Sequence, residues 1–227
     1  MKLSIRTTKV ENIFGWLLLA GHLLILPSLA ISINEMFANP LSEASLNLVL
    51  FLAELALTIL IFRKFLWAST KAFARKPFLC VGLSLLGFAM YYIGTAAVGL
   101  LIQRVSENFS NVNNDSILEL IAEKPALKYT IAFAVPITEE LIYRAMVFRS
   151  LQVKSRLAAY LISITVFSLI HVLGYIGTAS PLVLLLCFLQ YIPASFSLAW
   201  IYEKADTIWA PILMHMSVNL TYVLLMR

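Results

Sequence analysis

Two adjacent carboxylates, Glu139 and Glu140, lie inside a long apolar stretch of the sequence. A charge at the centre of a bilayer costs at least about 2.5–3.5 kcal/mol, so such residues are candidates for function. Arg144 follows Glu140 by four positions, on the same helix face, and we predict that the two form an ion pair. Glu139 points about 100° away from that face and lacks this partner. We therefore predict that one carboxylate is a structural anion and the other a base.

A simpler interpretation of this stretch is a buried salt bridge that only locks helix packing. It accounts for Glu140 and Arg144 but not for Glu139, and we therefore favour a functional role. Pro136 also removes a backbone hydrogen bond shortly before the pair, which loosens the helix where a pocket would be needed.

Two histidines and an amide lie in later apolar stretches. Asn219 follows His215 by four positions, so both side chains face the same way, and His171 lies in a separate stretch. Each of these, taken alone, is explained by a hydrogen bond between helices. At a rise of 1.5 Å per residue, Glu139, His171 and His215 fall within about 6 Å of the middle of the bilayer. We predict that these three side chains line one cavity and converge within about 10 Å.

These groups match two ways of activating water. In the first, a carboxylate takes a proton from water while imidazole or amide groups stabilise the developing oxyanion. In the second, Glu139, His171 and His215 bind Zn²⁺ and leave its fourth ligand position open. Both arrangements hydrolyse amides, and the residue spacing matches neither the HExxH nor the GxSxG motif. The sequence leaves the choice between them open.

The elements that position these residues are long apolar blocks. Of 227 residues, 61% are apolar and 13% charged, which is about half the charged fraction of a soluble domain. A transmembrane helix needs about 20 apolar residues, and only helices or closed barrels satisfy the backbone in lipid. No alternating barrel pattern is present. We predict an all-α, polytopic integral membrane protein with about seven transmembrane helices. The blocks are 13–33, 46–62, 78–102, 129–148, 157–175, 181–202 and 208–226.

The basic residues alternate between successive segments that connect these blocks. Segments after the first and fifth blocks contain no Lys or Arg. By the positive-inside rule, this predicts a multi-pass protein of the cell membrane with a cytoplasmic N-terminus and an external C-terminus. The net charge of +5 is therefore a topology signal, and we expect contact with membrane lipid but not with nucleic acid. The basic clusters are Lys2, Arg6 and Lys9; Arg63, Lys64, Lys71, Arg75 and Lys76; and Arg149, Lys154 and Arg156.

Polar residues elsewhere give three smaller predictions. Glu54 in the second block is expected to bond to a neighbouring span near His22, with a proton-linked or substrate-gating role as the alternative. Gln190 is expected to bridge helices. The segment 103–128 is expected to hold a short interfacial helix that begins at Asp115 or Ser116.

At these residues the sequence resembles the CAAX protease and bacteriocin-processing (CPBP, or Abi) family of intramembrane endopeptidases. The family pattern is Glu-Glu-x-x-x-Arg, then Phe-x-x-x-His, then His-x-x-x-Asn, each on its own late helix. All three motifs occur here in that order, at Glu139-Glu140…Arg144, Phe167…His171 and His215…Asn219. The resemblance covers about 129–226. It implies a catalytic core of four transmembrane helices over 129–227. The three helices and the extracytoplasmic loop predicted over 1–128 resemble nothing specific.

The resemblance implies an intramembrane endopeptidase, either glutamate- or metal-dependent, that cuts a membrane-associated protein or peptide. It implies that Glu139 activates water or binds a metal, with His171 as its partner. His215 and Asn219 correspond to the oxyanion-stabilising pair, and Arg144 to the residue that organises the glutamates.

Two other functions remain open at this point. One is a non-catalytic bacteriocin self-immunity or scaffold protein of the same fold. The other is a small transporter or proton channel, because buried Glu and His residues also serve proton relays.

Overall fold

The computed structural model describes residues 3–225, which form helices joined by short connections, with no β-strand among these residues. The all-α class is therefore confirmed. Lys2 of the first basic cluster and Met226, the last residue of the seventh apolar block, lie outside the described residues, as does Arg227.

The N-terminal half consists of six helices. Helix α1 begins at a capping box, in which Thr8 accepts a hydrogen bond from the Glu11 N–H and the Glu11 carboxylate accepts one from the Thr8 N–H. The other Glu11 oxygen accepts from the Phe65 N–H at 2.7 Å and so ties α1 to α4. The helices are α1 (Lys9–Leu24), α2 (Leu26–Glu35), α3 (Glu43–Ile61), α4 (Arg63–Arg75), α5 (Pro77–Val105) and α6 (Val112–Glu123).

Helix α6 lies where the interfacial helix was predicted, but its start was predicted wrongly. The cap is Asn111, whose side chain accepts from the N–H groups of Asn113 and Asn114. Asparagine caps a helix as well as aspartate does, so the helix begins at the earlier residue and takes Asp115 into its first turn.

The C-terminal half begins with an irregular helical segment that carries the paired glutamates. It runs through α7 (Leu127–Tyr129), π1 (Thr130–Ala134), α8 (Val135–Glu140), π2 (Leu141–Phe148) and α9 (Arg149–Gln152), where π1 and π2 are π-helical. Three regular helices follow, and they are α10 (Arg156–Leu173), α11 (Pro181–Ala205) and α12 (Trp209–Leu225).

Every predicted apolar block coincides with a helical segment, but the segments differ in how well they suit a membrane. Helices α3, α5, α10 and α11 are long and apolar enough to cross one, and α1 with α2 adds a fifth span if this pair, bent by 58°, is taken as one. Helix α12 is apolar but shorter, and the α7–α9 segment is divided. These last two segments carry His215 and Glu139, respectively.

Helix α5 packs closely against α11 and α12 and thereby supports the back of the core. A Cβ added at Gly87 would collide with the Ile201 side chain, so glycine suits this close approach. The Ser84 hydroxyl donates to the Ala210 carbonyl at 2.7 Å. On the outer faces large apolar side chains are exposed, with Phe78 at 92%, as expected for contact with lipid.

Candidate active site

Glu140 and Arg144 form the buried centre of the site. Both residues are 0% exposed, and Arg144 Nη1 donates to Glu140 Oε1 at 3.1 Å, so the predicted ion pair is present. Arg144 Nη2 also donates to the carbonyl oxygen and to the hydroxyl of Ser195, each at 3.3 Å. The guanidinium therefore fixes the glutamate and ties π2 to α11.

Phe167 explains why an aromatic residue opens the second motif. Its ring lies under the Arg144 guanidinium, with 4.4 Å between the carbon of that group and the ring centroid. The same ring meets Tyr143 and His215 edge-on, at centroid distances of 5.4 and 6.0 Å. Phe167 thus packs the buried cation against the imidazole, a role that the sequence motif alone did not show.

His215 links the two glutamates. Its Nδ1 lies 2.8 Å from Glu140 Oε1, and because an ionised carboxylate only accepts hydrogen bonds, we assign Nδ1 as the donor. Its Nε2 lies 3.8 Å from Glu139 Oε2. The bond to Glu140 therefore orients the ring so that the second nitrogen faces Glu139.

The two adjacent glutamates have different surroundings. Glu140 is bound from two sides and does not line the cavity, whereas the Glu139 side chain is 15% exposed and faces it. Among residues 3–225 no hydrogen-bond partner contacts Glu139 Oε2, although this atom is buried. A buried carboxylate oxygen without a partner still needs a hydrogen-bond donor, and this residue lines a cavity that can hold water.

Asn219 reaches the site through an irregularity that Pro136 creates. The π1 turn moves backbone hydrogen bonds one residue further along, and the Val135 N–H donates to the Thr130 carbonyl. In that pattern the next carbonyl, of Ile131, faces Pro136, which has no N–H. Asn219 Nδ2 donates to the Ile131 carbonyl at 3.0 Å instead. Its amide still has a second N–H, and the residue lines the cavity.

His171 is held by its own helix and by an aromatic neighbour. Its Nδ1 lies 2.7 Å from the Phe167 carbonyl oxygen, one turn earlier. Its ring stacks on Tyr191 of α11, with 4.1 Å between centroids. These contacts leave the ring at the cavity wall, beside Phe167.

One cavity of about 650 Å³ collects the predicted site residues. Glu139, His171, His215 and Asn219 all line it, while Glu140 and Arg144 lie behind its wall. The predicted convergence on a single cavity is thus observed, and for the Glu139 and His215 side chains the separation is well within 10 Å.

Amide side chains at the start of α6 line this cavity, which the sequence analysis did not anticipate. Asn111 donates to Gln190 Oε1 at 2.6 Å, so Gln190 bridges helices as predicted. Asn113 donates to the Tyr191 hydroxyl at 2.9 Å, and that hydroxyl donates to Asn114 at 3.1 Å. The run of asparagines at 111, 113 and 114 was the available signal, because it interrupts an otherwise amphipathic helix.

The predicted contact between His22 and Glu54 is confirmed. His22 Nδ1 lies 3.0 Å from Glu54 Oε1, which joins α1 to α3, and His22 lines the main cavity.

A metal ion would need several donor side chains close together. Among residues 3–225 no three His, Cys, Asp or Glu side chains lie close enough together to hold one. Glu139, His171 and His215 therefore do not form a zinc site as they lie. The metal-dependent alternative stays a prediction for metal analysis.

Comparison with known proteins gives a consistent result. Residues 122–221 match the family model described as Type II CAAX prenyl endopeptidase Rce1-like. Protein YxdF of Lactococcus lactis, assigned to the group UPF0177, is 28% identical over 139 residues, which cover 60% of this chain and 72% of that protein. YdiL of Bacillus subtilis, whose name proposes a membrane peptidase, is 32% identical over 116 residues, which cover 51% of this chain and 43% of YdiL. No solved structure matches. The resemblance to the CPBP family is thereby confirmed.

Proposed function

We propose that this chain, a membrane protein of the CPBP family, is an intramembrane endopeptidase that uses Glu139 to activate water. The observation that carries the proposal is the division between the adjacent glutamates. Glu140 is fully buried and bound by Arg144 and His215, while Glu139 faces the cavity with an oxygen that has no hydrogen-bond partner in the described part of the chain. The matched family and the name of the Bacillus subtilis relative support a peptidase.

The chemistry begins with a water molecule between Glu139 and His215, whose nearest atoms are 3.8 Å apart. Glu139 takes a proton as the water oxygen bonds to the peptide carbonyl carbon, and the carbonyl oxygen becomes an oxyanion. Asn219 shares a helix face with His215 and can donate its second N–H to that charge, and His215 can donate from Nε2 when both of its ring nitrogens carry a proton. The carbon–nitrogen bond then breaks, and the leaving nitrogen receives a proton.

The substrate class follows from the cavity and its surroundings. A volume of about 650 Å³ accommodates a short stretch of extended chain. Amide and hydroxyl groups of α6 and α11 at one end offer hydrogen bonds to a peptide backbone. We therefore propose a peptide or a membrane-anchored protein as substrate, within the cell membrane.

The decisive experiment compares three proteins reconstituted into liposomes, which are wild type, Glu139→Gln and Glu107→Gln. The last is a matched control, because Glu107 is exposed in the connection before α6. The probe is a library of unmodified peptides mixed with peptides that end in a farnesylated CaaX motif. New amino termini made by wild type and Glu107→Gln but not by Glu139→Gln support the proposal. Identical termini in all three, or none in any, overturn it and leave a non-catalytic role.

The proposed orientation places the N-terminus in the cytoplasm and, with seven spans, the C-terminus outside. A reporter fused after residue 227 is expected to be active outside the cytoplasm. Cytoplasmic activity of that fusion would mean an even number of spans.

A further inference from the structure

A second carboxylate–imidazole pair, formed by His22 and Glu54, lies outside the part of the chain that matches the family. His22 is on α1 and Glu54 on α3, whereas the match covers residues 122–221. The His22 side chain is 17% exposed and that of Glu54 is 6% exposed. A buried glutamate within an apolar helix is costly, and none of the three motifs uses this one.

This pair lies directly beside the proposed catalytic base. His22 and Glu139 both line the main cavity. They also line a smaller cavity of about 30 Å³ together with Glu54, Thr138, Phe51 and Val135. A water molecule needs about 10–15 Å³ of such space and two to four polar partners, so the smaller cavity is large enough for one.

Two residues around this small cavity have a polar atom that needs a hydrogen-bond partner. Thr138 is 4% exposed, and its hydroxyl is buried without a hydrogen-bond partner among residues 3–225, as is Glu139 Oε2. Both residues line the small cavity together with His22 and Glu54. A water there would connect the Glu139 carboxylate with the imidazole.

We propose that His22, positioned by Glu54, carries the proton from Glu139 to the leaving nitrogen of the cut peptide bond. This proposal rests on the proposed function. Glu54 accepts the Nδ1 hydrogen bond of His22, which fixes the ring and offsets the charge that it gains, as in other carboxylate–histidine pairs. The other ring nitrogen takes the proton through the water and delivers it in the main cavity.

The proton balance of this route is complete. The attacking water loses one proton to Glu139 and keeps its oxygen bonded to the carbonyl carbon. Glu139 passes that proton to His22, and His22 passes it to the nitrogen as the carbon–nitrogen bond breaks. Each turnover therefore returns Glu139 and His22 to their starting forms, with no oxidant, reductant or further reactant.

The test measures kcat and KM in liposomes for wild type, His22→Gln and Glu54→Gln, with a peptide from the library that wild type cuts. Loss of general acid–base catalysis typically costs about 100- to 10,000-fold. We expect His22→Gln to lower kcat at least about 100-fold while KM changes less than about threefold. Glu54→Gln should lower kcat less, because His22 remains present.

Glu11→Gln is the matched control. Glu11 is also a buried carboxylate of α1 that bridges to another helix, but it contacts neither cavity. It should lower the melting temperature and leave kcat unchanged. If His22→Gln lowers the melting temperature but leaves kcat unchanged, as Glu11→Gln does, the pair is structural and the proposal is wrong.

The pH profile gives a readout that a structural pair would not alter. In this relay His22 starts neutral and must accept the proton from Glu139, so kcat should fall as pH drops through the titration of His22, and this acid limb should be absent in His22→Gln. The groups that face His22 from the packed elements are Glu54 of α3, Glu139 of α8 and Tyr143 of π2. A wild type that cuts the peptide with an unchanged profile in His22→Gln overturns the relay but leaves the function of Glu139 intact.

Discussion

Two carboxylate–imidazole pairs flank Glu139, and they differ in what holds the carboxylate. Glu140 and His215 are 2.8 Å apart, and Glu54 and His22 are 3.0 Å apart. Glu140 is also bound by Arg144, which makes it part of a buried ion pair. Glu54 forms an ion contact with His22, and both residues precede the part of the chain that matches the family model. An arginine-bound carboxylate is suited to fix geometry, whereas one bound only by an imidazole is suited to support proton transfer.

The largest expected effect on stability and activity comes from disturbing the Glu140–His215 pair. Arg144→Ala leaves Glu140 as an unpaired buried charge and removes the bonds to Ser195, so we expect a loss of about 3–5 kcal/mol in stability and no activity. Thermal unfolding in detergent measures this. Glu54→Gln is the comparison variant, and it should cost less than about 1.5 kcal/mol, because an amide still accepts the His22 hydrogen bond. Equal melting temperatures for the two variants would contradict the distinction between the pairs.

For Asn219, which lies one helical turn after His215, we expect a substitution to change stability less but to lower turnover strongly. Asn219→Ala removes the proposed oxyanion donor, which typically lowers turnover about 100- to 1,000-fold. It also leaves the Ile131 carbonyl without that bond, which costs about 1–3 kcal/mol. Ser217→Ala on the same helix is the control, since its hydroxyl bonds only to the Leu213 carbonyl. Turnover of Asn219→Ala within a few-fold of that of Ser217→Ala would remove Asn219 from the mechanism.

The smallest expected effect is that of metal removal. If both pairs act through proton transfer and charge alone, dialysis of the purified protein against a chelator should change turnover by less than about twofold. Metal analysis of wild type, His171→Ala and His215→Ala accompanies this assay. Stoichiometric zinc that is lost in both variants, with activity restored by added zinc, would replace the glutamate mechanism by the metal-dependent one.

The fold and the ion pairs could be predicted because they follow from local rules. The length of apolar blocks predicts helices in lipid, and spacing of four residues predicts the Glu140–Arg144 pair. The contact between His22 and Glu54 followed from the cost of placing two ionisable groups in neighbouring spans. These predictions need only the sequence positions within one or two helices.

The remaining features of the site depend on tertiary structure. Pro136 predicted a loosened helix, but not the π-helical turns on both sides of α8 or the use of the Ile131 carbonyl by Asn219. The asparagines of α6 have no apolar pattern that shows which way they face, and only packing against α11 turns them into the cavity. The sequence of this segment therefore marks the asparagines as unusual but does not show that they line the cavity.

The central claim is that the adjacent glutamates divide their work, Glu139 for chemistry and Glu140 for structure. Its most direct test is the turnover number of Glu139→Gln in liposomes, measured together with its melting temperature. We predict that turnover falls at least about 100-fold, as for loss of a general base. The melting temperature should stay at or above that of wild type, because no hydrogen bond to Glu139 Oε2 is lost within residues 3–225. Turnover within a few-fold of wild type, or a loss that appears only with unfolding, would contradict the claim.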